Sequence, residues 1–213
     1  MKSRILSDDR DLAYFAERFK ERGNDVQLNY LKQSQIRAFF DAQGTMFAGY
    51  ARNIRRPLRY EMWIPEKQRG AIPLLRSRKH LCELTCIWIA GKQGSISSEI
   101  IYLYSVIDAL LSGADFILGG TLSPVVFGIQ TQSLPSMLYS GHTDYFGKRK
   151  KCWIYGASRR LLCIKLITLF PINIIKGMFG RSSYLARAKR MAREVKEVRQ
   201  GQESHDAGVL HVR

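Results

Sequence analysis

The segment GKQGSISS, which follows an apolar, β-branched run and precedes a helical pattern, has the composition of an anion-binding turn. A helix beginning at Ser97 or Ser98 leaves its first backbone N–H groups without helical partners. These groups and the helix dipole attract phosphate or another anion, while Gly91 and Gly94 let the backbone approach a ligand and Lys92 adds charge. An ordinary strand-to-helix turn capped by serine would use the same residue types.

Thiol and metal chemistry have weaker support in the sequence. Cys86 is a nucleophile in principle, but no histidine is paired with it in sequence, so a buried strand cysteine is the favoured interpretation. His80, Cys82 and Cys86 lie close together, yet this spacing on a strand does not give a tetrahedral zinc site. We therefore predict that the protein binds no metal.

Basic residues cluster with aromatic neighbours in several parts of the chain. Lys and Arg spread over loops can follow a phosphate backbone, and an exposed aromatic ring can stack on an unpaired base. A solvated basic surface above core aromatics is the structural alternative. The residues that we predict to contact nucleic acid are Arg52, Arg55, Arg56, Arg59, Lys148, Arg149, Lys150 and Lys151.

The overall charge points to an anionic partner. The 213 residues carry a formal charge of +16 and 46% of them are hydrophobic, so the chain can bury a core and must face something anionic. Nucleic acid is the preferred partner; acidic carrier proteins, phosphorylated cofactors and anionic lipid would be attracted by the same field.

The compartment is predicted from the cysteines and the apolar runs. Four cysteines and a start without a secretory signal predict reduced thiols in the cytoplasm. The longest apolar run, at residues 161–175, contains Lys165, Pro171 and Asn173 and is shorter than a membrane span. We interpret it as core, with an interfacial position as the alternative, and predict no transmembrane segment.

The elements that must position these residues begin with an amphipathic helix, in which Leu12, Phe15 and Phe19 recur at helical spacing. A hairpin turning at 41–44 follows, and the basic connection at 55–80 contains LRYEMWI, a candidate third strand. Next come a buried strand in LCELTCIWIA, a helix that ends at Ser112-Gly113, and a strand in ADFILGGT. A strand, a helix and a strand with short loops predict a parallel strand pair.

The C-terminal half is predicted to finish the sheet and to add a basic helix. PVVFGIQTQSLPSMLYSG is typical of a weak helix, and the stretch from HTDYFG to LITLF contains two or more strand-like segments. The predicted domain organisation is one domain over 1–178, a basic helix at 179–200 and a disordered tail at 201–213.

This order of elements resembles the GNAT acyltransferase superfamily over residues 26–160. The resemblance implies an α+β fold: a GNAT-like mixed, mostly antiparallel central sheet flanked by helices, here with a basic C-terminal helix. In that superfamily the turn after the fourth strand holds the pyrophosphate of acyl-CoA, usually with Gln or Arg before Gly-x-Gly or Gly-x-Ala, where this chain has GKQGS. The cofactor-binding residues that the resemblance implies are Ile89, Gly91, Lys92, Gly94, Ser95, Ser97 and Ser98.

Two branches of the superfamily are most similar. LTCIWI, ISSEII and GIQTQSLPSMLYSG are similar to segments of the Mom-type phage DNA-modification proteins, although Cys86 replaces the arginine of that strand and GGTL replaces Ser-Tyr-Ala-Asp. GYARNIRRPLRYEMWIP, CELTCIWI and DYFGKRKKCWI resemble the autoinducer-synthase-like N-acyltransferases. The tryptophan and acidic residues near the N-terminus that are typical of the autoinducer group are missing.

The resemblance implies an N-acyltransferase that uses acetyl-CoA or another acyl-CoA. Glu83 would be the general base, directly or through water, and Tyr139 the phenol that protonates the leaving thiolate. Each has a structural alternative, as a strand-end carboxylate paired with Arg or Lys and as a core aromatic.

The preferred acceptor is a modified nucleobase in phage-type hypermodified DNA, placing the protein in the host cytoplasm if it is phage-encoded. The alternatives are a small-molecule N-acyltransferase of the N-acyl amino acid or acyl-homoserine lactone type, with an acyl-carrier protein as a partner, and a non-catalytic nucleic-acid-binding protein.

Overall fold

The strands of the chain form one sheet, and its helices flank that sheet. The computed structural model describes residues 1–77, 79–90, 95–145 and 147–178, with side chains described outside 95–97 and 169–178. The predicted basic helix at 179–200 and tail at 201–213 lie outside the described residues. The elements in chain order are β1 Lys2–Leu6, α1 Asp9–Lys20, α2 Leu28–Lys32, β2 Gln35–Phe40, β3 Met46–Asn53, α3 Arg59–Trp63, α4 Glu66–Arg69, α5 Pro73–Arg76, β4 Leu81–Ile89, α6 Ser95–Leu111, β5 Phe116–Thr121, α7 Pro124–Gln130, β6 Ser136–Tyr145, β7 Lys148–Ser158 and α8 Arg159–Met178.

The sheet has seven strands in the order β1-β2-β3-β4-β5-β7-β6. Strands β4 and β5, joined by α6, run parallel, and each of the other neighbouring pairs is antiparallel. The predicted mixed, mostly antiparallel α+β architecture is confirmed, as is the parallel pair. Strand β1 was not predicted, because KSRIL is short, charged and mostly exposed at the sheet edge.

The N-terminal helix and the first hairpin form as predicted. The Asp8 side chain caps α1 by accepting from the backbone N–H of Arg10, and Leu12, Phe15 and Phe19 of α1 are buried in the core. This buried apolar stripe fixes α1 against the sheet. In the hairpin turn, Gly44 takes a left-handed φ of +80°, which glycine adopts without steric cost.

The connection at 55–80 is helical where a third strand was the expectation. LRYEMWI forms α3, because two carboxylates satisfy the backbone donors at its start. Glu61 accepts from Leu58 N at 3.3 Å, and Glu83 of β4 accepts from Arg59 N at 2.9 Å and Tyr60 N at 2.6 Å. The second carboxylate comes from a distant strand, so the local pattern could not indicate it.

Two further expectations in the C-terminal half are corrected. The weak helix ends at Gln130, and the segment after Pro135 is strand β6. The stretch after β7, expected to be strand-like, is helix α8, whose backbone is capped at Leu161 N by the Ser158 hydroxyl at 3.3 Å. Tertiary packing of α8 against α6 outweighs the β-propensity of its Ile and Thr residues.

The core has two apolar clusters, and β4 and β5 contribute residues to both. The larger one also contains residues of α1, β2, β3 and α6, and the smaller one contains residues of α3 and β7. Within the described part of the chain, no helix is both long and apolar enough to cross a membrane.

Candidate functional site

The two parallel strands at the centre of the sheet are paired over only part of their length. Their register runs from Leu81 opposite Phe116 to Glu83 opposite Leu118 and then ends. Strand β4 continues for six residues to Ile89, and β5 for three residues to Thr121. A cleft therefore opens between the carboxyl ends of two parallel strands, where ligands of α/β sheets commonly bind.

An irregularity in β4 coincides with the start of this cleft. Ala51 of β3 faces Thr85, and Gly49 faces Trp88, so β4 has one extra residue between these pairs. Within that bulge, Cys86 has a φ of +52°, in the left-handed region that non-glycine residues rarely adopt. A bulge re-aims side chains and bends the strand, and here it turns Cys86 and Ile87 toward the cleft.

The cleft contains a cavity of 310 Å³, a volume typical of small-molecule sites. Its wall is formed by helix α3, the residues after α1, the bulge of β4, the segment from the end of β5 into α7, and Lys150 of β7. The basic residues in this wall are Arg22, Arg59 and Lys150, and no described lining residue is Asp or Glu. The cavity is therefore positively charged.

The predicted general base Glu83 lies beneath the cleft and does not line the cavity. Its side chain is fully buried, and it accepts hydrogen bonds from Tyr30 Oη at 2.5 Å and from the backbone N–H groups of Arg59 and Tyr60. Burial raises the pKa of Glu83, and the hydrogen bonds from Tyr30, Tyr60 and Arg59 offset part of that rise. In this geometry Glu83 anchors the start of α3.

Arg59, the first residue of α3, brings its guanidinium to the cavity wall although only 8% of the residue is exposed. Nη1 donates to Thr85 Oγ1 at 2.9 Å and lies 3.6 Å from Cys86 Sγ, and Nη2 donates to the backbone carbonyl of Asp25 at 2.8 Å. The guanidinium also lies 5.4 Å from the centre of the Trp63 ring, a cation–π distance.

Tyr139, the predicted acid, is on β6 at the edge of the sheet and does not line the cavity. Its hydroxyl donates to the backbone carbonyl of His142 at 3.5 Å, and the ring packs against the smaller core cluster. Desolvation raises the pKa of Tyr139. The structure thus separates Glu83 and Tyr139 from the cavity, and their catalytic roles stay predictions.

The predicted cofactor-binding residues are only partly described. Ile89 pairs with Ala48 of β3, and helix α6 begins at Ser95, two residues before the earlier of the two predicted starts. Ser98 lies half-buried in the first turn of that helix. Gly91, Lys92 and Gly94, and the side chains of Ser95 and Ser97, lie outside the described residues.

The predicted nucleic-acid residues fall into two groups. Arg52 and Arg59 turn inward, and Arg52 Nη1 donates to the backbone carbonyl of Asp108 at 2.6 Å. Arg56 pairs with Glu61 at 3.2 Å. The exposed members are Arg55, Arg56, Lys148, Arg149, Lys150 and Lys151.

Sequence reasoning did not predict the inner wall of the cleft. Arg59 was assigned to a surface cluster, because nothing in RNIRRPLR distinguishes the one arginine that packs beneath the others. Trp63 was noted only as an aromatic residue beside a basic cluster, and Tyr30 had no signal in the sequence. Among the residues that the structure describes, no group of three or more His, Cys, Asp or Glu side chains is placed to hold a metal ion.

Comparison with known proteins gives the fold. No protein-family model matches the sequence, and no curated protein is significantly similar to it. The N-acyl amino acid synthase FeeM from uncultured soil microbes is similar in structure, with a TM-score of 0.57 and 12% identity over 75% of this chain and 96% of that one.

A putative phosphinothricin N-acetyltransferase is also similar, with a TM-score of 0.50 and 12% identity, covering 74% of this chain and 97% of its own. At this identity the likeness concerns architecture alone. The overall fold that this chain shares with both is the α+β arrangement described above, which here has a seven-stranded sheet flanked by helices. The chain therefore has the fold of the GNAT N-acyltransferases.

Proposed function

We propose that the protein is an N-acyltransferase that moves an acyl group from an acyl-CoA thioester to an amine. The observation that carries this proposal is the separation of β4 from β5 beyond Glu83 and Leu118, with a cavity at the opening. The fold shared with N-acyl- and N-acetyltransferases supports it. Acetyl-CoA is the simplest donor of this class.

The cleft suits an extended thioester arm. Beyond Glu83 the edge of β4 that faces β5 is outside the paired register, so its backbone groups can bind the amides of the pantetheine arm as a further strand would. The diphosphate would then lie at the start of α6, where unpaired N–H groups and the helix dipole favour an anion. Ile89 at the end of β4 and Ser98 in the first turn of α6 flank this position. The other residues predicted to bind phosphate, Gly91, Lys92 and Gly94, lie outside the described residues.

The chemistry at the cavity is nucleophilic acyl substitution. The amine nitrogen attacks the thioester carbon, a C–N bond forms, the C–S bond breaks, and the proton that nitrogen loses is balanced by protonation of the departing thiolate. The role of the wall in this proposal is to hold the two reactants in contact. Tyr60 closes the cavity floor, its hydroxyl donating to the backbone carbonyl of Leu84 at 3.0 Å.

A nucleobase in DNA is one candidate acceptor, favoured by the exposed basic residues of β7 next to the cavity. Lys150 lines the cavity and lies 5.0 Å from the centre of the Tyr145 ring, so phosphates bound along β7 would bring a base near the opening. A base in a duplex would have to leave the stack to reach the thioester. A small amine is the second candidate, favoured by the volume of the cavity, 310 Å³. In this second case an acyl-carrier protein could deliver the acyl group.

Release of CoA thiol from acyl-CoA tests the proposal, with DNA and a panel of small amines offered separately as acceptors. Val126 of α7 lines the cavity, and its neighbour Val125 is equally half-buried but does not. Val126→Trp should lower kcat/KM at least about tenfold by filling the cavity, and Val125→Trp should stay within about twofold. Equal effects of the two substitutions, or no thiol release with any acceptor, would contradict the proposal.

A further inference from the structure

We propose that the acceptor is a small amine that also carries a carboxylate, and that Arg59 binds this carboxylate. The inference deepens the proposed N-acyltransferase function and rests on it. It concerns the acceptor end of the cavity, where α3 meets the bulge of β4.

The charge of the cavity is the first reason. Arg22, Arg59 and Lys150 line it, and no described lining residue supplies a compensating carboxylate. A concave, partly enclosed wall of one sign focuses its field on a bound molecule. An amine in its ammonium form is repelled by such a wall, whereas an acceptor with a negative group of its own is attracted.

The environment of Arg59 is the second reason. Its guanidinium donates to the hydroxyl groups of Thr85 and Tyr145, to a cysteine thiol and to a backbone carbonyl, all of which are neutral groups. Among the described residues, no carboxylate lies within 4.0 Å of it, although Arg37 and Arg56 each have such a partner. A buried cation is ordinarily paired, because removing charge from water without a counter-charge is costly. A carboxylate of the acceptor would provide that pairing.

The geometry of the guanidinium suits a carboxylate better than other anions of a small amine. Arg presents parallel N–H groups that match the two oxygens of a carboxylate. The rings of Phe19 and Trp63, at 5.7 Å and 5.4 Å from the guanidinium carbon, restrict its orientation. From Arg59 the cavity extends to Cys86 and Ile87 at the bulge of β4, on the strand that would bind the pantetheine arm.

This arrangement also assists the reaction. An amine must lose its proton before it attacks, and a neighbouring carboxylate charge would raise the pKa of that ammonium group. Arg59 neutralises the carboxylate and so favours the free amine. The carboxylate itself is unchanged by the transfer; only the C–N bond forms and the C–S bond breaks.

Matched acceptors test the role of the carboxylate. L-Leucine is compared with 3-methylbutylamine, and L-phenylalanine with 2-phenylethylamine, by thiol release from acetyl-CoA and from a longer acyl-CoA. We expect kcat/KM to be at least about a hundredfold higher for each amino acid. Arg59→Met should reduce this ratio to below about threefold, while Arg59→Lys, which keeps the charge, should retain about tenfold.

Arg76→Met is the control, because Arg76 of α5 is exposed and does not line the cavity; it should leave the ratio unchanged. A wild-type ratio near one, or an equal ratio in Arg59→Met, would overturn the inference while leaving the proposed function in place. Preference for O-phosphoethanolamine, or for a base in an oligodeoxynucleotide, would overturn it as well.

A binding measurement separates this inference from turnover and from any folding defect of Arg59→Met. N-Acetyl-L-leucine and its neutral counterpart N-(3-methylbutyl)acetamide are titrated into the wild type and Arg59→Lys by calorimetry without CoA. We expect the carboxylate to bind about tenfold tighter to both proteins. Equal affinities of the wild type for the two compounds would refute the inference, whether or not the protein releases thiol from acyl-CoA. Tighter binding of the carboxylate without thiol release would contradict the proposed function alone.

Discussion

The two halves of the β4–β5 pair differ although they belong to the same strands. In the closed half, Leu81–Glu83 pairs with Phe116–Leu118, and the one carboxylate there is fully buried with both oxygens bonded. In the open half, the strands separate at a bulge, and the buried charge is Arg59, whose bonded partners are neutral. The closed half is stabilised by buried hydrogen bonds, and the open half forms the proposed ligand site.

The two buried charges differ in their access to the cavity, and this separates a structural anchor from a candidate binding group. Glu83 has three donors on two oxygens and no access to the cavity, so a ligand has nothing to gain from it. Arg59 is almost as buried, but its guanidinium reaches the cavity and lacks a described carboxylate within 4.0 Å. The anchor holds the first turn of α3 in place, and α3 in turn holds Arg59 at the wall.

The largest change in stability is expected from a substitution in the closed half. Glu83→Gln replaces one accepting oxygen by an amide N–H₂ group, which cannot accept from the backbone N–H groups at the start of α3. We expect a loss of about 2–3 kcal/mol in the free energy of unfolding at neutral pH, measured by urea denaturation. Glu66→Gln on the exposed surface of α4 is the control and should change stability by less than about 0.5 kcal/mol. A loss as small as that of the control would contradict the anchoring role.

The pH dependence of stability checks the same group. Burial raises the pKa of Glu83 in the folded protein. Because the folded state then binds this proton more tightly than the unfolded state, its contribution is fully present below the unfolded pKa and falls as the pH rises through the folded pKa. The stability advantage of the wild type over Glu83→Gln should therefore decrease as the pH rises above about 4, the ordinary pKa of a glutamate in the unfolded chain. An advantage that grows with pH would mean that the carboxylate pKa is lowered.

The next prediction concerns ligand affinity and tests whether acyl-CoA binds at the open half. Ser98 lies in the first turn of α6, where an acidic side chain stabilises a helix but repels a bound diphosphate. Ser98→Asp should weaken acyl-CoA binding roughly tenfold without lowering the melting temperature. Ser98→Asn, which has similar size and no charge, should bind acyl-CoA within about twofold of the wild type. Calorimetric titration gives both affinities, and unchanged binding by the Asp variant would place the diphosphate elsewhere.

Much of the fold could be predicted from the sequence, because its signals are local. The stripe of α1, the turn at Gly44 and the buried run of β4 each follow from neighbouring residues. The start of helix α3 at Arg59 could not be predicted, because the carboxylate that accepts from its backbone belongs to Glu83, on a strand 24 positions away. Helix α8 likewise depends on packing against α6.

The composition of the candidate site could not be predicted from the sequence. The order of a buried strand, a turn, a helix and a second strand indicated that β4 and β5 are parallel, but not that their pairing ends at Glu83. The bulge at Cys86 depends on register with β3, and the inward turn of Arg59 depends on Thr85 and the Asp25 carbonyl. Neither is encoded by spacing along the chain.

A smaller effect compares two thiols of β4, one from each half. Desolvation raises the pKa of Cys82 to about 11 and also raises that of Cys86, where Arg59 offsets part of the rise. Cys86 lines the cavity and Cys82 does not. With iodoacetamide we expect Cys86 to react at least about threefold faster, and acyl-CoA to slow Cys86 alone. Peptide mass spectrometry measures both rates; faster labelling of Cys82 would show that the strands separate at the other end.

The smallest expected effect concerns the exposed basic residues of β7. Lys148 and Arg149 are exposed and do not line the cavity. The double variant Lys148→Glu, Arg149→Glu should keep kcat/KM for a small amino acid within about twofold, while its DNA affinity should fall and its salt slope should decrease. Acyl-transfer assays and salt-dependent DNA titrations measure these quantities. Loss of transfer to the small acceptor would assign β7 to the site and favour a large anionic acceptor.

The most direct measurement is an experimental structure of the protein with a thioether analogue of acyl-CoA. We predict that the pantetheine arm lies between β4 and β5 and pairs with the backbone of β4 beyond Glu83, with the sulfur near the bulge at Cys86. A complex in which β4 and β5 stay paired to Ile89, or in which the analogue binds outside this cleft, would contradict it.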